Sequence, residues 1–315
     1  MSESSRRDAL RLLAAGVGGV VYSSQIFGCG SHRMSGVKPA TGGQSVAPSS
    51  PAPFSFVQLS DTHWGFAKEK FNPDPKGTLR RAIAATLSVA PDFVVFTGDL
   101  THRSEDESVR DRRMTEFKEA LGSLKTGSLK TVHFLCGEHD ADADQGRLFR
   151  KHFGDLYWSF DHKGAHFLGL DNASSKDAEI GAAQLEWLHN DLDGISRDTP
   201  LVVFSHRPLF ELRADWGWAT KDGDKVQELL ARFSRVNAFY GHIHQAHRHQ
   251  QGNISFQSAR SLIFPLPPPD HPGPRKPIPW NSEQPYANLG GNTIEVSNET
   301  STQSLDLVAS NSKGW

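Results

Sequence analysis

The chain has 315 residues, 37% of them hydrophobic and 22% charged, and its formal net charge is −2. This composition is typical of a globular protein, and the length fits one large domain or two small ones. A charge this close to neutral excludes a protein that wraps nucleic acid with a long basic tract, whereas the 15 histidines point towards metal binding or proton transfer.

The first 29 residues are typical of an export signal. The pair Arg6-Arg7 resembles the twin-arginine motif, and a short, weakly apolar stretch at 12–27 follows it. A membrane span needs about 20 strongly apolar residues, which this stretch does not offer. Ile26-Phe27-Gly28-Cys29 resembles a lipoprotein cleavage box, so Cys29 is a candidate lipid anchor. We expect export to the periplasm or anchoring at the cell-envelope membrane; the alternative is a cytoplasmic chain with a disordered N-terminus.

The rest of the chain divides by composition. Residues 30–53 are rich in Ser, Gly and Pro, which predicts a flexible tether, and residues 54–264 are predicted to form the main domain. Residues 265–291 begin with a segment, 265–279, that contains eight prolines, which predicts an extended arm. Residues 292–315 are predicted to close the domain with a hairpin. The two cysteines exclude a disulfide framework, although a single bridge between Cys29 and Cys136 stays open.

Apolar runs alternate with amphipathic stretches through the main domain, which predicts an α/β fold. Predicted strands occupy residues 54–60, 93–96, 131–136, 201–204 and 236–240, and a hairpin occupies 156–170. Predicted helices occupy residues 78–89, 109–124, 148–153, 180–192 and 223–233. The alternating segments at 246–251 and 254–258 predict a second sheet.

Chemically active side chains follow five of the predicted strands, at the point where each strand ends. The five turns are Asp61-Thr62-His63, Gly98-Asp99, Gly137-Glu138-His139-Asp140, Ser205-His206 and Gly241-His242-Ile243-His244. One such turn alone is more often a cap or an ordinary loop, but five together are hard to explain by capping. Carboxylates and imidazoles suit zinc, iron or manganese, and the lack of thiolate clusters argues against a structural zinc site. The ends of strands in open sheets are also where ligands usually bind.

The five motifs, in this order, resemble those of the calcineurin-like metallophosphoesterase superfamily. The resemblance covers residues 54–260, and the arrangement of the motifs is most similar to that of the bacterial branch of cyclic-nucleotide phosphodiesterases. It implies a four-layer α/β/β/α sandwich with two mixed sheets. It also implies two divalent or mixed-valence metal ions (Fe, Mn or Zn) about 3.5 Å apart at the carboxyl ends of the strands.

Carried over to this chain, the resemblance assigns a role to each motif residue. The implied ligands are Asp61, His63 and His244 for the first metal, Asp99 as the bridge, and Glu138, His206 and His242 for the second metal. His139 would contact the phosphate and assist the leaving group, and Asp140 would orient His139. The implied nucleophile is a hydroxide that bridges the metals and attacks phosphorus.

Glu138 departs from the family pattern, which is Gly-Asn-His-Asp at this turn. The carboxylate adds a negative charge and one methylene of reach where the family has a neutral amide. Three outcomes are open: tighter ligation of a harder or trivalent ion, a preference for monoanionic diesters over dianionic monoesters, or chelation through both oxygens that takes the place of the nucleophile.

Further candidates for substrate contact lie on loops next to these motifs. Trp64, Trp216 and Trp218 could stack on an aromatic or nucleobase leaving group, with ordinary loop packing as the alternative. His102 could reach the substrate or could instead be a solvated loop histidine.

The sequence as a whole predicts an exported dinuclear-metal phosphoesterase acting on a phosphodiester or phosphomonoester. The expected partner is a small phosphoester, with cyclic nucleotides, other nucleotides and phospholipid head groups all open. The alternative is a metal- or phosphate-binding accessory protein on the same fold, disabled by Glu138. A lactamase-type zinc enzyme is disfavoured because its His-x-His-x-Asp-His run is missing.

Overall fold

Two mixed β-sheets pack face to face and carry helices on their outer faces in the computed structural model, which describes residues 52–125 and 131–307. The expected α/β class with two mixed sheets is therefore confirmed. The predicted signal and lipid anchor lie outside the described residues, as does the predicted tether except for its last two positions. Within the described ranges, no helix is both long and apolar enough to cross a membrane.

The first sheet has β1 (Phe54–Leu59) at its centre. β1 pairs in parallel with β2 (Phe93–Thr97), which pairs in parallel with β3 (Val132–Leu135). On its other edge β1 pairs antiparallel with β10 (Gly290–Val296), and β10 forms a hairpin with β11 (Thr300–Asp306). The C-terminal hairpin thus becomes part of the sheet that carries the first three motifs.

The second sheet has the strand order β4-β5-β6-β7-β9-β8. Its strands are β4 (Trp158–His162), β5 (Ala165–Gly169), β6 (Leu201–Phe204), β7 (Val236–Tyr240), β8 (Arg248–Gln251) and β9 (Ile254–Ser258). β8 and β9 lie in this second sheet, as their alternating pattern predicted, together with β4 to β7. They extend the edge beside β7, because β9 pairs with β7 in parallel.

Phenylalanines fill the space between the two sheets. Phe56 is fully buried, and its ring stacks on Phe93 at 5.1 Å and meets Phe204 edge-on at 5.6 Å. Burying each such ring contributes roughly 1.5–3 kcal/mol relative to leaving it exposed. Since Phe56 and Phe93 belong to the first sheet and Phe204 to the second, this layer holds the two sheets together.

The helices cover the outer faces. They are α1 (Pro75–Ser88), α2 (Glu107–Ala120), α3 (Glu138–Ala141), α4 (Arg147–Phe153), α5 (Ala182–Asp193) and α6 (Gly223–Leu230). Leu79 of α1 packs in one core cluster with Val57 of β1, and Leu188 of α5 packs in another with Val203 of β6. α1 starts three residues earlier than predicted because Asp74 caps it, accepting a hydrogen bond from the Gly77 N–H at 2.8 Å.

The proline-rich arm runs without helix or strand from 265 to 279. Side chains from other loops hold the arm in place through its backbone carbonyls. Gln245 donates to the Pro267 carbonyl at 2.7 Å, and Arg213 donates to the Pro269 carbonyl at 2.8 Å. The Ile278 N–H closes back on the Pro265 carbonyl at 2.9 Å. The arm is therefore tied to the loops after β6 and β7.

Candidate metal centre

The predicted motifs of both sheets meet at one end of the sandwich. The loops after β1 and β2 supply Asp61 and Asp99, and the start of α3, directly after β3, supplies Glu138. The loops after β6 and β7 supply His206 and the His242–His244 pair. Parallel strands end at the same edge of a sheet, which explains how loops far apart in sequence come together here.

The first group consists of Asp61, His63, Asp99 and His244, all buried, with donor atoms within 4.8 Å of one another. His63 Nε2 lies 3.2 Å from His244 Nε2 and 3.4 Å from Asp99 Oδ2. His244 Nε2 lies 3.3 Å from Asp61 Oδ1. Two carboxylates and two imidazoles converging on one point suit a divalent cation.

The second group consists of Glu138, His206 and His242, whose donor atoms also lie within 4.8 Å of one another. Glu138 Oε2 lies 2.9 Å from His206 Nε2, and Glu138 Oε1 lies 3.0 Å from His242 Nδ1. Asp99 Oδ1 is 3.6 Å from His206 Nε2, while its Oδ2 faces His63 of the first group. Asp99 therefore stands between the two groups, where a bridging ligand would have to be.

The ring orientations fit metal ligation. His206 Nδ1 lies 2.7 Å from the Thr97 carbonyl, and His244 Nδ1 lies 2.8 Å from the Phe264 carbonyl. A carbonyl only accepts, so in each ring Nδ1–H donates and Nε2 points into the cluster, the usual arrangement for a metal-bound imidazole. His63 and His244 then face each other through Nε2 atoms, an arrangement that a shared cation stabilises.

Charges within the second group show why a cation belongs there. Burial opposes protonation of His206, but Asp99 and Glu138 outweigh it and raise the pKa of His206 to about 10. Burial also disfavours the Glu138 carboxylate, yet His242 and His206 hold the pKa of Glu138 well below its usual range. Without a metal, a proton on His206 thus supplies the positive charge that the carboxylates require.

The backbone of the ligand residues is itself unusual. Five of them adopt positive φ, a region that non-glycine residues rarely occupy: Asp61 (53°), His63 (47°), Asp99 (49°), His242 (65°) and His244 (55°). Such residues cost on the order of 1–3 kcal/mol each and cluster at functional sites. The strain is therefore independent support for a site built from these loops.

Two motif glycines are required by close approach. A Cβ at Gly137 would overlap the Asp99 carboxylate, and a Cβ at Gly98 would overlap the His206 ring. Gly98 also has a φ of +95°. These positions let the loops after β2, β3 and β6 come close enough for their side chains to share ligands.

The hydrogen bonds of the Asp140 carboxylate go to residues other than His139, which corrects the orienting role predicted for it. Its carboxylate accepts hydrogen bonds from the N–H groups of Leu100 and Thr101, from the Thr101 hydroxyl and from the Gly137 N–H, at 2.8–3.0 Å. These donors flank Asp99 and Glu138. Asp140 therefore positions the two ligand loops against each other.

His139 is oriented instead by the backbone of Arg103, whose N–H donates to His139 Nδ1 at 3.2 Å. Burial lowers the pKa of His139 to about 4, so the ring is neutral at pH 7 with its proton on Nε2. That nitrogen lies 4.0 Å from Asp99 Oδ2, and the side chain is 26% exposed. His139 thus offers a hydrogen-bond donor at the accessible side of the cluster.

The structure also brings His102 to the site. Its ring stacks on His139 with centroids 5.1 Å apart, and its Nδ1 lies 3.4 Å from His63 Nδ1. Burial lowers the pKa of His102 to about 4. His102 is therefore not the solvated loop histidine that the sequence left open as an alternative.

The three tryptophan side chains are buried and pack against other residues of the protein. Trp218 is fully buried and meets Trp216 edge-on at 4.7 Å within the core of the second sheet. Trp64 donates to Glu116 Oε2 at 3.0 Å, and Lys76 covers its ring at 5.1 Å. The predicted stacking role is wrong for Trp218, which has no exposed face, and Trp64 and Trp216 are each only 8% exposed.

Arg207 is a charged residue at the site that the sequence did not single out. Arg207 follows His206 directly, and its Nη2 lies 3.5 Å from Glu138 Oε2. The only signal was its place in Ser205-His206-Arg207-Pro208, which does not reveal a contact with a loop of the other sheet.

Comparisons with known proteins agree with this centre. Residues 54–246 match the family model of the calcineurin-like phosphoesterases. Serine/threonine-protein phosphatase CPPED1 of Danio rerio is 29% identical over 222 residues, which cover 61% of this chain and 71% of the relative. The 3',5'-cyclic-nucleotide phosphodiesterase alr5338 of Nostoc sp. is 25% identical over 225 residues, which cover 67% and 79%.

A solved structure has the same fold. The crystal structure of a dimetal phosphatase from Danio rerio superposes with a TM-score of 0.57 and 14% identity, covering 81% of this chain and 96% of that one. The family match spans more than half of the chain, and the relatives named above include a bacterial-type phosphodiesterase, as the motifs predicted. The chain belongs to the calcineurin-like phosphoesterase family, whose members are metal-dependent phosphoester hydrolases.

Proposed function

We propose that this protein is an exported phosphoesterase that uses two metal ions (Fe, Mn or Zn) to hydrolyse a phosphodiester or phosphomonoester. The observation that supports it most is the pair of buried ligand groups with Asp99 between them. When bound, two such ions supply an activated water and neutralise charge on the phosphate.

The chain's own residues have distinct tasks in this reaction. Asp61, His63, His244, His206, His242, Glu138 and Asp99 would hold the ions. His139 donates a hydrogen bond from Nε2 to a phosphate or leaving-group oxygen. Because its pKa is about 4, the ring is neutral at pH 7. It therefore donates a hydrogen bond but carries no imidazolium proton to transfer. Asp140 keeps the loops after β2 and β3 in register.

The names of the relatives support both ester classes, since one is a phosphatase and another a cyclic-nucleotide phosphodiesterase. Cyclic nucleotides, other nucleotides and phospholipid head groups are the substrate classes that we propose to compare. The His102 side chain, stacked on His139, is a candidate to contact the leaving group.

The test is turnover of p-nitrophenyl phosphate and bis-p-nitrophenyl phosphate with added manganese, zinc or iron. We expect metal-dependent hydrolysis that falls by at least about 100-fold in Asp99→Asn, with a loss in His139→Ala as well. Asp155→Asn, at an exposed position, is the matched control and should keep full activity.

A specific observation favours a second candidate. One Glu138 oxygen faces His206 and the other faces His242, so both oxygens are directed to the second ligand group and chelation through both would take the place of the nucleophile. A protein that binds two metals yet turns over no phosphoester would be the accessory protein expected from this geometry, and that result would overturn the enzymatic proposal.

Export is proposed from the sequence alone. Replacing Arg6 and Arg7 by Lys should retain the protein in the cytoplasm, and Cys29→Ala should release it from the membrane fraction. Cell fractionation with antibody detection measures both, and an unchanged distribution in both variants would refute the proposal.

A further inference from the structure

The Glu138 carboxylate has a third partner besides the two imidazoles. Arg207 Nη2 lies 3.5 Å from Glu138 Oε2, the same oxygen that faces His206. The Arg207 side chain is 14% exposed and that of Glu138 is 19% exposed, so water screens the pair only in part.

Arg207 is held in this position by its own contacts. Its Nη1 donates to the Gly217 carbonyl at 3.0 Å. Its backbone is clamped by Asn172, whose Oδ1 accepts from the Arg207 N–H at 3.1 Å and whose Nδ2 donates to the Arg207 carbonyl at 2.9 Å. The positive charge is therefore fixed beside the second ligand group before any substrate binds.

The net charge of the centre explains why a cation beside Glu138 matters. Asp61, Asp99 and Glu138 oppose two divalent ions with three negative charges, which leaves one net positive charge for an anionic substrate. A neutral side chain at position 138 would leave two. Arg207 adds one positive charge next to Glu138 and restores the balance of a centre with a neutral ligand there.

We propose that Arg207 is the charge partner of Glu138, so that the centre keeps its attraction for a phosphate group although Glu138 adds a negative charge. This inference rests on the proposed function, because it takes the centre to be a phosphate-binding site. It makes Arg207 a positioning residue that acts through Glu138.

The experiment is a double-mutant cycle read by calorimetric binding of inorganic phosphate to metal-loaded protein. Arg207→Gln keeps a hydrogen-bond donor for Gly217 but removes the charge. We expect it to weaken phosphate binding about 10-fold, since a like charge is then uncompensated at the site. In a Glu138→Asn background the same change should lower the phosphate affinity by less than about threefold.

Arg207→Lys is the control for structure. It keeps the charge, so it should retain most of the phosphate affinity that Arg207→Gln loses. A purely structural role through the Gly217 contact would instead predict no loss in Arg207→Gln, because glutamine also donates a hydrogen bond. Thermal unfolding and metal content, measured on every variant, establish that each protein is folded and loaded.

Equal losses in the unaltered and the Glu138→Asn backgrounds would overturn the proposal, because Arg207 would then act on phosphate independently of Glu138. The absence of any loss, or of phosphate binding by the unaltered protein, would overturn it as well. Binding is measured without turnover, so a protein that binds phosphate with this coupling but hydrolyses nothing would refute the proposed function and leave this inference standing.

Discussion

His133 illustrates how single residues in this fold carry a pH dependence away from the metal centre. It lies in β3 with its ring stacked on Phe160, centroids 4.2 Å apart, and close to Trp158 at 5.0 Å. Burial, with a smaller contribution from His162, lowers the pKa of His133 to about 4 from the usual 6.5. The folded protein therefore takes up this proton at a lower pH than the unfolded chain does.

This shift predicts a loss of stability in acid. Above about pH 6.5 neither state is protonated at His133 and stability is unaffected; as pH falls from there towards 4, only the unfolded state gains the proton and folding is disfavoured. The free energy of unfolding, measured in urea, should therefore fall less between pH 7.5 and pH 5 for His133→Phe than for the unaltered protein. The exposed His271→Asn variant controls for loss of a histidine, and equal slopes for all three proteins would contradict the prediction.

At the scale of the elements, local patterns predicted the strands well. β1 and β2 are short apolar runs, and the motif residue that ends each run, Asp61 or Asp99, stands at the site. Burial and orientation of side chains could not be predicted in the same way. Trp218 is buried by α6 and the second sheet, and Asp140 bonds to a loop 40 positions earlier. Both depend on contacts that no local pattern contains.

The proline-rich arm gains a role from the same reasoning. It presents Arg275, which is exposed and interacts electrostatically with Glu138 and Arg207. Desolvation by neighbouring atoms lowers the pKa of Arg275, with Glu138 acting in the opposite direction. The arm therefore brings a second positive charge towards the second ligand group.

We predict that Arg275→Gln raises the inhibition constant of inorganic phosphate several-fold without changing metal content, because a charge on the arm attracts the anion but touches no ligand. The effect should shrink at high ionic strength. Lys276→Gln, the next residue on the arm, is the matched control and should change the constant little. A loss of metal from Arg275→Gln would show that the arm supports the centre itself.

For the whole molecule, the metal centre joins the two sheets, so its occupancy should set overall stability. Three carboxylates, Asp61, Asp99 and Glu138, lie close together in this cluster and repel one another without cations. Ions that bind only the folded state stabilise it by about 2.7 kcal/mol per site at 100 times their dissociation constant.

Chelation should accordingly lower the melting temperature by several degrees, and manganese or zinc should restore it. Differential scanning calorimetry with and without EDTA measures the shift. Asp99→Asn, which removes the residue between the two groups, should show a smaller shift than the unaltered protein. A melting temperature indifferent to EDTA in a protein that had bound metal would contradict the prediction.

The pairing of β1 with the C-terminal hairpin also constrains the order of events during synthesis. Asn292 of β10 donates to Gln58 of β1 at 3.0 Å across 234 positions of sequence. The second edge of β1 therefore pairs only after almost the entire domain has been synthesised. Contacts this distant in sequence also form slowly. The loop that carries Asp61 extends from an incomplete sheet until the ribosome has delivered residues 290–306. We therefore expect metal uptake at the first ligand group to be a late step, one that follows synthesis of the last hairpin.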